Sequence, residues 1–310
     1  MNKAQITKKV RSIINARRMD ADNLALKNYT EASKNIHFVA NTSNIAATTI
    51  HIAKLESEKK SAKYEKELLK VLLNERAQIL KQLKLSEKDL VPEYFCKKCS
   101  DTGIADGEYC LCYKNLLNEQ LSKLNGGNLD KTHIFKAANL KLLKKDSDMQ
   151  KAYLSMQKFC ELYPNSKRKI ISLVGEVGVG KSYLTECVCN ALIAKGALVQ
   201  FLTSFNFNNT MLKYHTEFNQ DKMTYLDSVL EPDVLVIDDL GTEPMLQNVT
   251  KEYLFLVLNE RLNSNKFTFI TTNLNLNELM NRYGERIYSR LTHKQNALPL
   301  NITGNDLRRQ

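Results

Sequence analysis

The chain has 310 residues, 43% of them hydrophobic and 25% charged, with a net charge of +11 and seven cysteines. That composition fits a globular protein of one large domain or two to three smaller ones. It excludes a membrane span, since no apolar run nears the roughly 20 residues required. The basic start, "MNKAQITKKVRSIINARRMD", lacks an apolar core and cleavage site, so no secretory signal is expected.

Residues 1–92 hold 18 Lys+Arg against 10 Asp+Glu, whereas residues 166–310 hold 16 against 15. The positive excess therefore sits in the first third. Such a region suits nucleic acid, an acidic protein surface or simply a solvated helix face. Leu68, Leu72, Ile79 and Leu83 recur at helical spacing in a stretch without Gly or Pro, which predicts a helical hairpin or short coiled coil. "FVANTSNIAATT" interrupts the pattern as a junction between helices, and Pro92 is the expected stop.

Next comes "CKKCSDTGIADGEYCLC". Its spacing, Cys96-x2-Cys99-x10-Cys110-x-Cys112, places two close thiol pairs around turn-forming residues. Four thiolates can close a tetrahedral Zn²⁺ site with no position left for water, a structural rather than catalytic arrangement. A redox role for Cys96 and Cys99 is the rival reading, without a thioredoxin-like βαβ context to support it. Cys160, Cys187 and Cys189 fall in helical segments and read as packed small residues. The odd cysteine count and a phosphate-binding motif point to a reducing, cytoplasmic setting without disulfides. The five histidines show no ligand spacing. "NGGN" at 125–128 breaks a short helix, and a further helix ends near Pro164.

From residue 170 apolar strands alternate with helices: "IISLV", a helix ending at Gly196, "LVQFLT", two helical stretches, "VLVIDDL", a helix with Thr250 as N-cap, and "FTFITTN". The expected fold class is α/β, a parallel sheet with helices on both faces. "GEVGVGKSYL" follows the first strand and fits G-x-x-x-x-G-K-[ST]. Gly175, Gly178 and Gly180 allow backbone N–H groups to wrap a di- or triphosphate, with Glu176, Val177 and Val179 between them and Tyr183 closing the segment. Lys181 reaches the β/γ-phosphates and Ser182 ligates Mg²⁺. Asp238 and Asp239 end a buried strand, an arrangement that is costly without a cation nearby. Asp238 is expected to help hold Mg²⁺, and Asp239 to orient or activate the attacking water. Asn273 is placed to hold that water. Arg282, Arg286 and Arg290 follow, the last two on one helix face.

Taken in order, "GEVGVGKSYL", "VLVIDDLGTE", "TFITTN" and "RYGERIYSRL", with the cysteine cluster upstream, resemble the AAA+ ATPases of the bacterial replicative helicase loaders, the DnaC/DnaI type. The resemblance covers residues 93–310. It implies a P-loop AAA+ core at 148–310, a connector at 121–147, a zinc knuckle at 93–120 and a helical helicase-interaction region at 1–92. It further implies bound ATP with Mg²⁺ and Zn²⁺. By motif position Gly175–Ser182 is the Walker A loop, Asp238 and Asp239 are the Walker B pair, and Asn273 is sensor 1. Arg290, with Arg286 in reserve, falls where an arginine reaches a neighbour's ATP, and Arg308 falls at sensor 2. Two departures stand out. The second acid is Asp239 where most such enzymes have Glu, which suits a switch better than a motor. Only twenty residues follow Arg290, too few for a full helical lid. The implied function is a loader that self-associates through its ATPase domain, grips a replicative DNA helicase and delivers it onto single-stranded DNA, with no membrane role. A transposition helper ATPase of the IstB type, a stand-alone P-loop kinase and an ATP-switched scaffold are the alternatives.

Overall fold

A computed structural model describes residues 3–124, 129–138, 147–218, 222–304 and 306–307. The expected break at 125–128 and Arg308 lie outside the described residues. The chain divides into two compact units, Arg11–Glu108 and Met1–Val10 with Tyr109–Gln310.

The first unit is helical. Helix α1 spans Lys3–Ala32, α2 Ile36–Ser57 and α3 Lys63–Gln82. Asn35 caps α2, its side chain accepting the N–H groups of His37 and Phe38. α2 and α3 pair along their length. Asn41 donates to the Leu72 carbonyl at 3.0 Å, and the Arg76 guanidinium lies 4.7 Å from the Phe38 ring centre. Leu72 and Leu80 are buried with Phe38, and Ile79 and Leu83 pack against the Phe38–Leu80 cluster.

Two expectations are corrected here. "FVANTSNIAATT" is no junction but the body of α2. Its threonines do not compete with the helix, because Thr42 and Thr49 donate back to the carbonyls of Phe38 and Ile45 four residues earlier. The turn falls instead at 58–62, where Lys59 adopts a left-handed conformation. Nor does Pro92 stop α3, which ends at Gln82 with left-handed Lys84 just beyond.

In the second unit, α4 spans Leu111–Leu124 and α5 Asp148–Leu162, the latter ending before Pro164 as expected. The short strands β1 (Ile104–Ala105) and β2 (Glu108–Tyr109), which close the first unit, form a hairpin of their own. β3 (Ile170–Gly175), α6 (Lys181–Ala194), β4 (Val199–Thr203), α7 (Ser204–Thr216), α8 (Lys222–Leu230), β5 (Val234–Leu240), α9 (Thr250–Asn263), β6 (Phe267–Thr272), α10 (Leu276–Tyr283), α11 (Glu285–Thr292) and β7 (Ala297–Ile302) follow. The five strands form one sheet of order β4-β5-β6-β3-β7, with every described pairing parallel.

The sheet is apolar on both faces, as parallel sheets must be. Ile171, Leu173, Val199, Phe201, Val234, Val236, Phe267 and Phe269 face a core shared with α5 and α6. The alternate residues Ile170, Leu202, Leu235, Ile237 and Ile270 face a second core shared with α7, α9, α10 and α11. The doubly wound α/β class read from the sequence is the fold of this unit. β7 was not foreseen. It carries Pro299, which an edge strand tolerates because one side of its ladder is unpaired. Thr250 is not an N-cap. It is the first residue of α9, and its hydroxyl accepts the Leu246 N–H and donates to Asn208.

A single cation ties α8, α9, β5 and β6 together. Arg261, 1% exposed, donates to the carbonyls of Val229, Pro232 and Phe267 and to the Thr268 hydroxyl. Burial pulls its pKa down to about 9, so it stays charged at neutral pH. Arg261→Met would leave those buried carbonyls without a donor, each costing roughly 1–3 kcal/mol. Urea unfolding of that variant should show a loss on the order of 3 kcal/mol or more.

Candidate phosphate and metal sites

The loop between β3 and α6 bends through Gly178 and Gly180, both at positive φ (83° and 98°). Gly178 has a second reason to lack a side chain: a Cβ there would lie 2.0 Å from Asp306 Oδ1. The Leu307 N–H donates to the Gly178 carbonyl at 3.0 Å, so the chain's last described residues lie on this loop. Glu176 and Val177 are exposed, Val179 is buried in the core, and Tyr183 stacks at a tilt 4.5 Å from the His133 ring.

Lys181 opens α6 and is 5% exposed. Its ammonium donates to the carbonyls of Gly175 (2.8 Å) and Glu176 (2.7 Å) and to Asn273 Oδ1 (2.8 Å). Two segments far apart in sequence, the glycine loop and the end of β6, therefore meet at one nitrogen. Asn273 sits just past β6, beside the acidic strand end. Asp238 is 8% exposed and accepts the Thr271 hydroxyl at 2.6 Å, and the Ser182 hydroxyl also bonds it. The pairing of β5 with β6 is irregular between Ile237 and Leu240. Within that irregularity Asp239 has φ 55°. Its N–H donates to the Thr271 hydroxyl at 2.8 Å, and its carbonyl accepts the hydroxyls of Ser204 and Thr242, each at 2.9 Å. Glu243, 2% exposed, accepts the Gly241 N–H and the Tyr283 hydroxyl. Sequence reading missed Thr271, Ser204, Thr242 and Glu243. Only adjacency to the acidic pair or to a strand end could have flagged them.

The three arginines part company. Arg282 donates to the Glu243 carbonyl. Arg290 is half-buried, donates to Asn259 Oδ1 at 3.1 Å and lies over the Phe255 ring. Arg286 is exposed on α11.

Burial raises the pKa of Asp238. The Thr271 hydroxyl opposes that shift, the Asp239 charge adds to it, and the Ser182 hydroxyl opposes it. A buried acid in that state is one a divalent cation would relieve, so the donor set of Ser182 and Asp238 fits Mg²⁺ held beside a phosphate loop.

In the cysteine segment, the four Sγ atoms of Cys96, Cys99, Cys110 and Cys112 lie within 4.8 Å of one another, with Cys99 and Cys110 buried. Four thiolates at about 2.3 Å from a tetrahedral Zn²⁺ would stand roughly 3.8 Å apart. The cluster fits that ion with a small closure. Asp101, also missed from sequence, accepts the N–H groups of Phe95 (2.8 Å) and Cys96 (3.0 Å) and so fixes the first thiol turn. Cys160, Cys187 and Cys189 are buried helix residues as expected. Burial pushes the first two up to about 12 and about 11, and the third upward as well, so all three stay neutral thiols.

With a glycine loop, its lysine and a buried acid in one place, comparison with known proteins is decisive. The profile described as IstB-like ATP binding protein matches residues 136–310, more than half of the chain. The chain belongs to this family. The chain is also 26% identical over 117 residues to the replicative helicase loader DnaC of Escherichia coli, an alignment covering 38% of this chain and 47% of that protein. The chain thus spans about half the length of that relative. Among solved structures it is similar to the DnaC helicase loader (27% identity, 55% of this chain, 97% of that one, TM-score 0.48) and to DnaI (25%, 56%, 90%, 0.45). No described helix is long and apolar enough to cross a membrane.

The raised Asp238 pKa has a sign. Stability is fully present below the ordinary value of 3.8 and is lost as pH rises through the higher folded value. Without nucleotide or Mg²⁺, Asp238→Asn should therefore melt at or above the parent at pH 7. The gap should close below about pH 4. Thermal melts across that range check it.

Proposed function

We propose that this IstB-like protein is an ATP-dependent loader that binds a replicative DNA helicase and delivers it onto single-stranded DNA. The observation that carries the reading is the Lys181 ammonium, held at once by the glycine loop and by Asn273, beside the Ser182–Asp238 pair. Backbone N–H groups of Gly175–Gly180 and the Lys181 ammonium would cradle the triphosphate, the Walker A role. Ser182 and Asp238 would hold Mg²⁺, which when bound offsets phosphate charge. Asp239, clamped through its backbone, would orient the attacking water with Asn273. Arg290, or the exposed Arg286, would complete the site of a neighbouring copy, which makes self-association part of the cycle. Cys96, Cys99, Cys110 and Cys112 would bind structural Zn²⁺, and the helical first unit would grip the helicase. The curated relative's name, replicative helicase loader, supports the partner. The family's description also supports a second reading, a transposition helper of the IstB type.

Co-elution with the replicative helicase of the same organism, with mass read by light scattering with and without ATP, separates the two. A defined complex dependent on residues 1–120 is expected, and none in either state would favour the transposition helper. Lys181→Ala should reduce ATP turnover by about 10²-fold or more, read by phosphate release. It should also fail to load helicase onto DNA.

Metal analysis of purified protein should find one zinc per chain. Cys99→Ser should lose that zinc and lower the melting temperature of the cysteine segment, because metal affinity is folding energy there.

A further inference from the structure

The edge of the sheet opposite the glycine loop carries a second feature that the ATPase reading does not use. The segments entering β3, β6 and β7 converge there around an open cleft of about 760 Å³. Lys167, Arg168, Lys169 and Lys294 line it together with carboxamides such as Asn265 and Gln295, and no acid is among the lining residues. This is notable because residues 166–310 are close to neutral overall. The local excess is a matter of placement.

The cleft has a built floor. Lys169 is 8% exposed, and its backbone is fixed, its N–H donating to Asn296 and its carbonyl accepting from Thr268. Its ammonium lies 4.0 Å from the Phe267 ring centre, its one described partner. Burial lowers its pKa, and no carboxylate offsets that shift. A buried cation without an acid, opening on a cleft with three more cations, is poised for an anion brought from outside. Arg168 is partly anchored, donating to the Ala297 carbonyl at 3.1 Å, whereas Lys167 and Lys294 are exposed and free to follow a ligand.

We propose that this cleft binds the phosphodiester backbone of a nucleic-acid strand without reading its bases. A small organic ligand would want a mostly apolar lining, which this cleft lacks. Bases would want open aromatic faces, and the Phe267 face is taken by Lys169. What remains is a row of cations and amides from separate loops, the chemistry of backbone tracking. β3 is six residues long, so the cleft stands roughly 16 Å or more from the glycine loop along the strand. A strand bound here would not compete with ATP. The inference rests on the nucleic-acid role in the proposed function and adds to it a place of contact away from the glycine loop.

The test is fluorescence anisotropy of the full chain with a labelled, mixed-sequence single-stranded oligonucleotide across a salt series. The double variant Lys167→Ala/Lys294→Ala should bind about tenfold more weakly near 0.1 M salt. Its slope of log affinity against log salt should shrink by about 1.4, two contacts at about 0.7 each. Lys169→Met should weaken binding in the same direction. The surface double variant keeps the test valid if Lys169→Met fails to fold. Nucleotide binding at the glycine loop, measured in parallel, should be unchanged in the double variant. Parent-like affinity and slope in the double variant would overturn the proposal while leaving the ATPase reading intact. So would loss of binding to labelled polyglutamate with oligonucleotide binding retained, which would assign the cleft to an acidic protein surface. Failure of the parent to bind nucleotide would instead count against the ATPase reading.

Discussion

The end of β5 beside the glycine loop is held by one hydroxyl. Thr271 donates to Asp238 Oδ1 and accepts the N–H of Asp239, so a single side chain on β6 holds both members of the acidic pair. Neighbouring residues on a regular strand point to opposite faces of the sheet. Two adjacent acids can serve one site only if that alternation is broken. It is broken here by the irregular pairing between Ile237 and Leu240, with Asp239 at φ 55°. The conformation gives a reason for the residue type. Asp is among the few non-glycine residues enriched at positive φ, whereas a longer Glu would lose that local tolerance. By resemblance, Asp239 in place of Glu suits a switch better than a motor. The backbone supplies an independent cause that makes no reference to rate.

The same clamp extends outward. Ser204, at the start of α7, and Thr242 both donate to the Asp239 carbonyl. Glu243 gathers Gly241 and Tyr283, which ties the turn after β5 to α10. The catalytic candidate is thus held by its backbone from β6, α7 and the following turn, leaving its carboxylate unencumbered by those bonds. This is how preorganisation is usually built: fixed main chain, free reacting group. The deeper layer is Arg261, which satisfies the carbonyls that gather where α8, β5 and β6 begin or end. Carbonyls left unpaired where elements begin or end need such a donor when they are shut away from water.

Much of this was legible because periodicity and spacing are local. The apolar strands, the glycine loop, the acidic pair and the cysteine spacing each occupy a few contiguous residues, and the structure gathers them at two places. What stayed hidden falls into two kinds. β7 hid because Pro299 reads as a breaker, and only its edge position removes that cost. Thr271, Ser204 and Glu243 hid because a threonine, a serine or a glutamate becomes informative only once a fold puts it next to something. The threonine-rich body of α2 misled for a related reason. Threonine has modest helix propensity, but the hydroxyls of Thr42 and Thr49 donate back within the helix. Lys169 is the sharpest case. In sequence it is one lysine in a basic triplet. In the fold it alone of the three is buried, over Phe267, without an acid.

Parallel topology also separates the two proposed anion sites of this unit. Every segment that leaves a strand emerges at one edge of the sheet, and every segment that enters a strand gathers at the other. The phosphate loop is of the first kind, and the Lys167–Lys169 and Lys294 segments are of the second. The two edges also use different chemistry. The loop at Gly175–Gly180 offers backbone N–H groups, which suit a compact polyphosphate approached closely. The opposite edge offers long side-chain cations, which suit an extended and variable polyanion. β3 is common to both, beginning beside Lys169 and ending in Gly175. β3 shares its ladder with β6, the strand that carries Thr271, and with β7. β6 likewise begins beside Asn265 of the cleft and ends beside Asn273, which accepts from Lys181, so the strand that holds the acidic pair also runs from one end of the sheet to the other.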